Sequence, residues 1–317
     1  MPKYLAARLA LVVPTMMGVS ILVFFMMRMI PGDAIDIMNA NAQRSLDPAA
    51  AESLRRAFGL DRPILEQFAL WFGDLLHGDL GVSIVSRRPV LEEIATRLPA
   101  TVQLAVEALA IALLIAIPSG VLSATRRNSW TDFSARLVAL LGLSLPNFWF
   151  AIGLIYLFSV VLRVLPPGGY ASPTEDFAAS LRYSLLPAFA LGTAMAAITM
   201  RLTRSSLLEV LGQDYVRTAR AKGLRSLTVT YRHALRAALL PVVTVVGLQL
   251  GTLLGGAVVI EQVFDWPGLG TLLLRGIVRA DYPVVQGTVL FLALFVVLAN
   301  LLVDLAYYSL DPRIRVA

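Results

Sequence analysis

The chain has 317 residues, 57% of them hydrophobic and 15% charged, with a mean hydropathy of +0.74. Soluble domains carry about 25% charged residues, so this composition excludes an ordinary soluble globular protein and describes a chain dissolved in lipid as one membrane domain. The absence of cysteine excludes disulfides, thiolate metal sites and cysteine nucleophiles, and the formal charge of +6 lies in short groups between apolar runs, which speaks for membrane topology and against nucleic acid.

A helix needs roughly 20 apolar residues to cross the hydrocarbon of a bilayer, where an unpaired amide finds no water. The gaps between charges define six such runs: Leu9–Met27, Leu98–Ala124, Leu137–Leu162, Tyr183–Met200, Ala237–Ile260 and Tyr282–Val303. The first follows Lys3 and Arg8 and is too long for a signal peptide; no small-residue cleavage site follows Ile30-Pro31-Gly32-Asp33, so it reads as an uncleaved span.

Asp33–Arg97, the longest polar interval, holds seven arginines and ten acids, a net charge of −3. Together the intervals Arg126–Arg136 and Arg201–Arg236 and both termini hold fifteen Lys or Arg against four acids. The positive-inside rule therefore predicts both termini in the cytoplasm and the acidic interval outside. The chain reads as a first span over 1–30, an external helical segment over 31–97, a five-span core over 98–309 with a cytoplasmic loop at 201–236, and a cytoplasmic tail over 310–317.

Within the external segment, Asp47-Pro48 and Asp61-Arg62-Pro63 signal the starts of short amphipathic helices, the second ending at Gly73 with Leu65, Phe68, Ala69 and Phe72 at helical spacing. This segment is either a cap packed on the bundle or a surface that receives substrate. Pro14, Pro118, Pro146 and Pro241 are predicted to kink or end helices. Gly247, Gly251, Gly255 and Gly256 form a small-residue stripe suited to close helix packing or to a smooth solute path.

A Walker-type phosphate loop needs a glycine-flanked lysine, and the only lysines, Lys3 and Lys222, lack that setting. The only histidines, His77 and His233, fall on opposite sides of the predicted membrane, so no metal site is expected. No Gly-x-Ser-x-Gly elbow occurs, and the chain is not expected to be an enzyme. Glu107 is the one carboxylate inside a predicted span: it either lines a polar path or is paired within the bundle. Asp304, at the cytoplasmic end of the sixth run, is explained by solvation or pairing.

The richest signal lies in the cytoplasmic loop. Asp214 to Gly223 reads as a short helix, with Tyr215, Thr218, Ala219 and Lys222 on one small accessible face and Arg217, Arg220 and Arg225 supplying charge; Ala221 and Lys222 precede Gly223, which ends the helix in a left-handed conformation. Lipid headgroups could anchor such a loop, but a glycine-terminated insert between two spans is better suited to a partner's cleft.

Asp-Tyr-Val-Arg-Thr-Ala-Arg-Ala-Lys-Gly-Leu from Asp214, with His-Ala-Leu-Arg-Ala-Ala-Leu-Leu-Pro from His233, resembles the dipeptide, oligopeptide and nickel branch of ATP-binding-cassette (ABC) importer permeases. Arg28-Met-Ile-Pro-Gly-Asp, Glu261-Gln-Val-Phe-Asp-Trp-Pro-Gly-Leu-Gly, Asp281-Tyr-Pro-Val-Val-Gln-Gly and Leu310-Asp-Pro-Arg-Ile-Arg extend the resemblance over nearly the whole chain. The generic loop signature opens Glu-Ala-Ala; here Arg217, Thr218 and Ala219 fill those slots, so no glutamate contact carries over.

The resemblance implies an all-α type I importer permease fold with six spans in a bacterial inner membrane. It implies a complex with a second homologous permease, two nucleotide-binding ATPase subunits that hold ATP and magnesium, and an external substrate-binding protein. Asp214–Gly223 becomes the ATPase-coupling element, and Glu261, Trp266, Pro267 and Gly268 an external turn that either borders a gate or forms a rigid cap. Short peptides are the implied cargo, with nickel chelates or glutathione as alternatives. An ion-coupled secondary transporter and a non-transporting scaffold are the competing classes; inverted repeats and further mid-span carboxylates, which the first would show, are not evident.

Overall fold

The computed structural model describes residues 2–29, 35–36 and 47–310, and the side chains of 2–9, 254, 304 and 306–310 are outside that description. The motif at 30–33, the tail motif at 311–315 and the side chain of Asp304 thus lie outside the described residues. Those residues form helices α1 (Pro2–Arg28), α2 (Pro48–Ala57), α3 (Ile64–Leu76), α4 (Val90–Thr125), α5 (Trp130–Ser144), α6 (Asn147–Leu154), α7 (Phe177–Leu211), α8 (Asp214–Ala221), α9 (Leu235–Val263), α10 (Leu269–Val278) and α11 (Tyr282–Leu310). Two wider π-helical stretches, Ile155–Val161 and Val229–Ala234, continue α6 and lead into α9. No strand occurs among the described residues; Val82 and Pro89 form an isolated bridge. Among the described residues five helices are long and apolar enough to cross a membrane, or six when α5 and α6 with its π-helical continuation, bent at a short break, are counted as one span.

That break falls inside the expected run Leu137–Leu162, at Pro146, one of the prolines expected to kink or end a helix. Pro146 has no N–H and forces its predecessor out of the helical region, so Leu145 is extended (φ −86°, ψ 130°) and the two halves meet at 105°. The other prolines predicted to disturb spans do not end them: Pro14, Pro118 and Pro241 lie within continuous helix. The fourth span is also longer than its apolar core Tyr183–Met200. Asp176 caps α7 by accepting from Ala179 N at 2.9 Å, and the helix runs on through Arg201, Arg204 and Glu209.

The chain divides into two compact units. Met1–Pro99 with Pro267–Val297 forms the first, where Val23, Met27, Ile84, Tyr282 and Val285 make a core. Phe68 and Trp71 dock α3 on α1 through Phe24, with ring centroids 5.1 and 5.4 Å apart. The helical face expected from Leu65, Phe68, Ala69 and Phe72 is therefore split: Phe68 packs inward, while Leu65 is 73% exposed. α3 also runs one turn past Gly73, because His77 closes it, with Nδ1 2.8 Å from Gly73 O, before Gly78 turns the chain at φ +82°. The buried Asp281 carboxylate, just ahead of α11, accepts from Ser83 Oγ at 2.5 Å, Ile84 N at 3.1 Å and Val85 N at 3.2 Å. It fixes the loop that precedes α4.

Ala100–Trp266 with Leu298–Ala317 forms the second unit. Here α4 and α7 run parallel, Ala108 meeting Gly192 and Gly120 meeting Thr203, and touch at these two glycine notches. A Cβ on Gly192 would fall 2.7 Å from Ala108 O, and one on Gly120 would fall 2.8 Å from Thr203 Cβ. The glycine stripe of α9 is mixed: Gly247 is packed tightly against Val303, while Gly255 meets open space.

Candidate functional site

Helix α8 stands between the long α7 and the return into α9. Most of it is exposed: Asp214, Tyr215, Arg217, Thr218, Arg220, Ala221 and Lys222 all face solvent. Val216 is fully buried and roots the helix in a cluster with Val121, Ala124, Leu207, Val210, Val229, Ala234 and Ala238. The cytoplasm-predicted ends of α4, α7, α8 and α9 thus share one small core. Ala219 is partly buried against it, so the small accessible face expected from Tyr215, Thr218, Ala219 and Lys222 loses one member. The reason is geometric: Ala219 follows Val216 by three residues and shares its side of the helix.

The end of the helix matches the expected chemistry. Gly223 adopts φ +77°, its N–H reaches Arg220 O at 2.9 Å, and Leu224 N reaches Ala219 O at 3.4 Å. A left-handed residue there closes the last carbonyls and turns the chain away. Thr218 Oγ1 donates to Asp214 O at 3.0 Å and Arg217 lies 3.3 Å from Asp214, so the short helix is braced internally.

Beside this core lies an ion pair that sequence reasoning missed. Asp132 is fully buried and accepts from Arg204 Nε and Nη2 at 2.8 and 2.9 Å, from Ser123 Oγ at 2.5 Å and from Asn128 N at 3.0 Å. One carboxylate thereby joins α4, α5 and α7 where they converge. The sequence signal was Ser129-Trp-Thr-Asp132, a capping-box pattern at the start of α5 in which Ser129 Oγ accepts from Asp132 N at 3.3 Å. Counting Asp132 only as one acid in a basic loop hid it.

Glu107 is half-buried on α4, one turn from Gln103, whose Nε2 donates to Glu107 Oε1 at 2.9 Å and to Ser180 Oγ at 2.8 Å. It is part of a polar link between α4 and α7. In the last turn of α9, within the segment expected to be an external turn, Glu261 is 1% exposed and accepts from Thr101 Oγ1 at 3.3 Å. Trp266 is fully buried, donates from Nε1 to Ala100 O at 3.0 Å and packs edge-on against Tyr170 at 4.9 Å. Pro267 and Gly268 belong to the first unit, where Gly268 precedes α10 in extended conformation (φ −90°, ψ 179°). Among the described residues no cluster of His, Asp or Glu could hold a metal ion.

Comparison with known proteins agrees with this architecture. Residues 116–316 match the family model "binding-protein-dependent transport system inner membrane component", and residues 1–105 match the model of the N-terminal part of such membrane components. The chain is 45% identical to the dipeptide transport system permease protein DppB of Escherichia coli K12, over 99% of both chains. It is 43% identical to the di/tripeptide transport system permease protein DppB of Pseudomonas aeruginosa and 44% identical to the glutathione transport system permease protein GsiC of Pectobacterium atrosepticum, each over 99% of both chains. Among solved structures, the MetNI methionine ABC transporter in inward-facing conformations has a chain of similar fold, with a TM-score of 0.58 at 18% identity, covering 70% of this chain and 97% of that one.

Proposed function

The chain belongs to the family of binding-protein-dependent transport system inner membrane components, and on that premise we propose that it is the peptide-importing permease of an ABC transporter. It forms half of the membrane path for di- and oligopeptides. Its partners are a second homologous permease, two nucleotide-binding subunits that hold ATP and magnesium, and an external binding protein. Both termini and α8 face the cytoplasm, as the distribution of basic residues requires.

The observation that carries the coupling role is the build of α8. It is a short exposed helix closed by a left-handed glycine and rooted through Val216 in the core shared by α4, α7 and α9. A partner that grips its exposed face and moves it therefore moves the ends of three membrane helices. ATP binding to the partner pair favours one global state of the complex over the other, and the permease path follows. Glu261 and Trp266, being buried, act as anchors of the external turn near the gate, while Gln103, steadied by Glu107, links α4 to α7.

Peptide as cargo rests on the DppB relatives. Glutathione, itself a tripeptide, is the second reading, supported by the GsiC relatives at similar identity. The test is reconstitution of the assembled complex in proteoliposomes with its binding protein, following ATP-dependent uptake of labelled dipeptide and of glutathione. Uptake of neither by the parent complex overturns the cargo assignment. Gly223→Val, which strains the end of α8, should abolish uptake and stimulation of ATPase activity by the binding protein; unchanged coupling refutes the role of α8.

A further inference from the structure

A cavity of about 310 Å³ opens in the first unit, with Arg28, Arg62, Trp71, Asp74, Tyr282 and Gln286 among its walls. Its level in the membrane follows from the helices that make it. Arg28 is the last residue of α1 and Tyr282 the first of α11, so the cavity sits where one span leaves the hydrocarbon and another enters it. The apolar run ending at Arg28 is 19 residues long. At ~1.5 Å per residue that is about 28 Å, close to the ~30 Å hydrocarbon layer, which puts the Arg28 guanidinium at the headgroup boundary. Tryptophan and tyrosine concentrate at that boundary. The adjoining α3 leaves Leu65 and Leu76 each 73% exposed, and Ile64 and Leu70 46% and 48%; such a face is covered when the helix lies in the bilayer interface.

The polar groups specify what the cavity takes. Gln286 is 2% exposed, and its Nε2 has no hydrogen-bond partner among the described residues. A desolvated donor of that kind requires an acceptor. Arg28 is held in place: Nε donates to Gln67 Oε1 at 3.0 Å, and the guanidinium lies 3.6 Å from the Phe24 ring centroid. Its remaining donors form part of a preset fork suited to phosphate oxygens. Asp74, exposed and without an ion-pair partner among the described residues, is the one acid among the wall residues.

We propose that this cavity holds the phosphodiester of a glycerophospholipid from the external leaflet. Arg28 and Gln286 donate to its phosphate oxygens, Asp74 pairs with the ammonium of an ethanolamine headgroup, and the acyl chains run along the exposed apolar face of α3. A free anion would satisfy the donors but leave that face uncovered.

The experiment uses the intact complex in nanodiscs of equal phosphatidylethanolamine and phosphatidylglycerol, with retained lipid counted by native mass spectrometry after detergent washing. The parent should keep phosphatidylethanolamine. Gln286→Glu, which keeps the volume and exchanges donor for acceptor, and Arg28→Gln should each lower retention about tenfold, the effect of one charge-assisted hydrogen bond. Asp74→Asn should keep lipid bound but erase the preference for ethanolamine over glycerol headgroups. Equal retention by parent and Gln286→Glu overturns the proposal, with size-exclusion profiles confirming that both complexes are assembled. Displacement of the lipid by millimolar inorganic phosphate also overturns it, marking a site for a soluble anion instead.

Discussion

Asp132→Ala removes the acceptor of four hydrogen bonds at once: from Ser123 Oγ, Asn128 N, and Nε and Nη2 of Arg204. The Arg204 side chain is 19% exposed, so the abandoned guanidinium is poorly rehydrated. Breaking a buried pair from one side costs about 3–5 kcal/mol, and the partial exposure of Arg204 places this case near the lower bound, at roughly 3 kcal/mol. Asp132→Asn keeps the volume and one acceptor oxygen, but it turns an NH2 toward two of the four donors and leaves Arg204 without its counter-charge, so most of that cost remains. Removing both charges with Asp132→Ala and Arg204→Met should be milder than the sum of the single changes, because neither charge is then stranded. The assay is the thermal midpoint of the assembled complex by fluorescence-detected size exclusion, with the order parent, Asp132→Asn, Asp132→Ala. A midpoint for Asp132→Ala equal to the parent's, or strict additivity in the double variant, would refute the view that this pair fastens α4, α5 and α7 together.

Three further outcomes are expected. A Cβ at Gly223 meets nothing within 4 Å, so the obstacle there is φ +77° alone; Gly223→Ala should cost about 1 kcal/mol, with Gly223→Asn milder, read as the loss of binding-protein-stimulated ATPase activity without loss of assembly. Gly120→Val should prevent accumulation of folded chain, because its Cβ would lie 2.9 Å from the Met200 carbonyl, while Gly255→Ala, which meets open space, should accumulate as the parent does; immunoblots of membranes decide both. Asp281→Ala strands Ser83 Oγ and the amides of Ile84 and Val85, about 1–3 kcal/mol for each buried donor left unsatisfied, and should open the loop before α4 to limited proteolysis.

The spans were readable because lipid imposes a coarse rule: a long uncharged run has only the helix available to it. The short helix α8 was readable too, since Gly223 is the kind of residue a left-handed stop requires. What escaped was set by contacts distant in sequence. Asp132 and Arg204 sit 72 residues apart, and nothing in either local pattern announces the other. Val216 looked like one apolar residue in a basic loop; only the convergence of four helix ends makes it an anchor. Of the four prolines expected to disturb spans, Pro146 alone breaks its helix. That choice depends on neighbouring helices that can shelter a bend, which a linear pattern does not encode.

The two glycine notches between α4 and α7 have a mechanical consequence. They lie about twelve residues apart on α4, roughly 18 Å along its axis, and each brings backbone or Cβ against the opposite helix. One contact would be a pivot, about which the helices could scissor; two contacts fix a line. The pair therefore behaves as a single beam. On the proposed role of α8, a push delivered there would swing both helices together and leave the bending to the elbow of Leu145 and Pro146, where no such notch binds the halves.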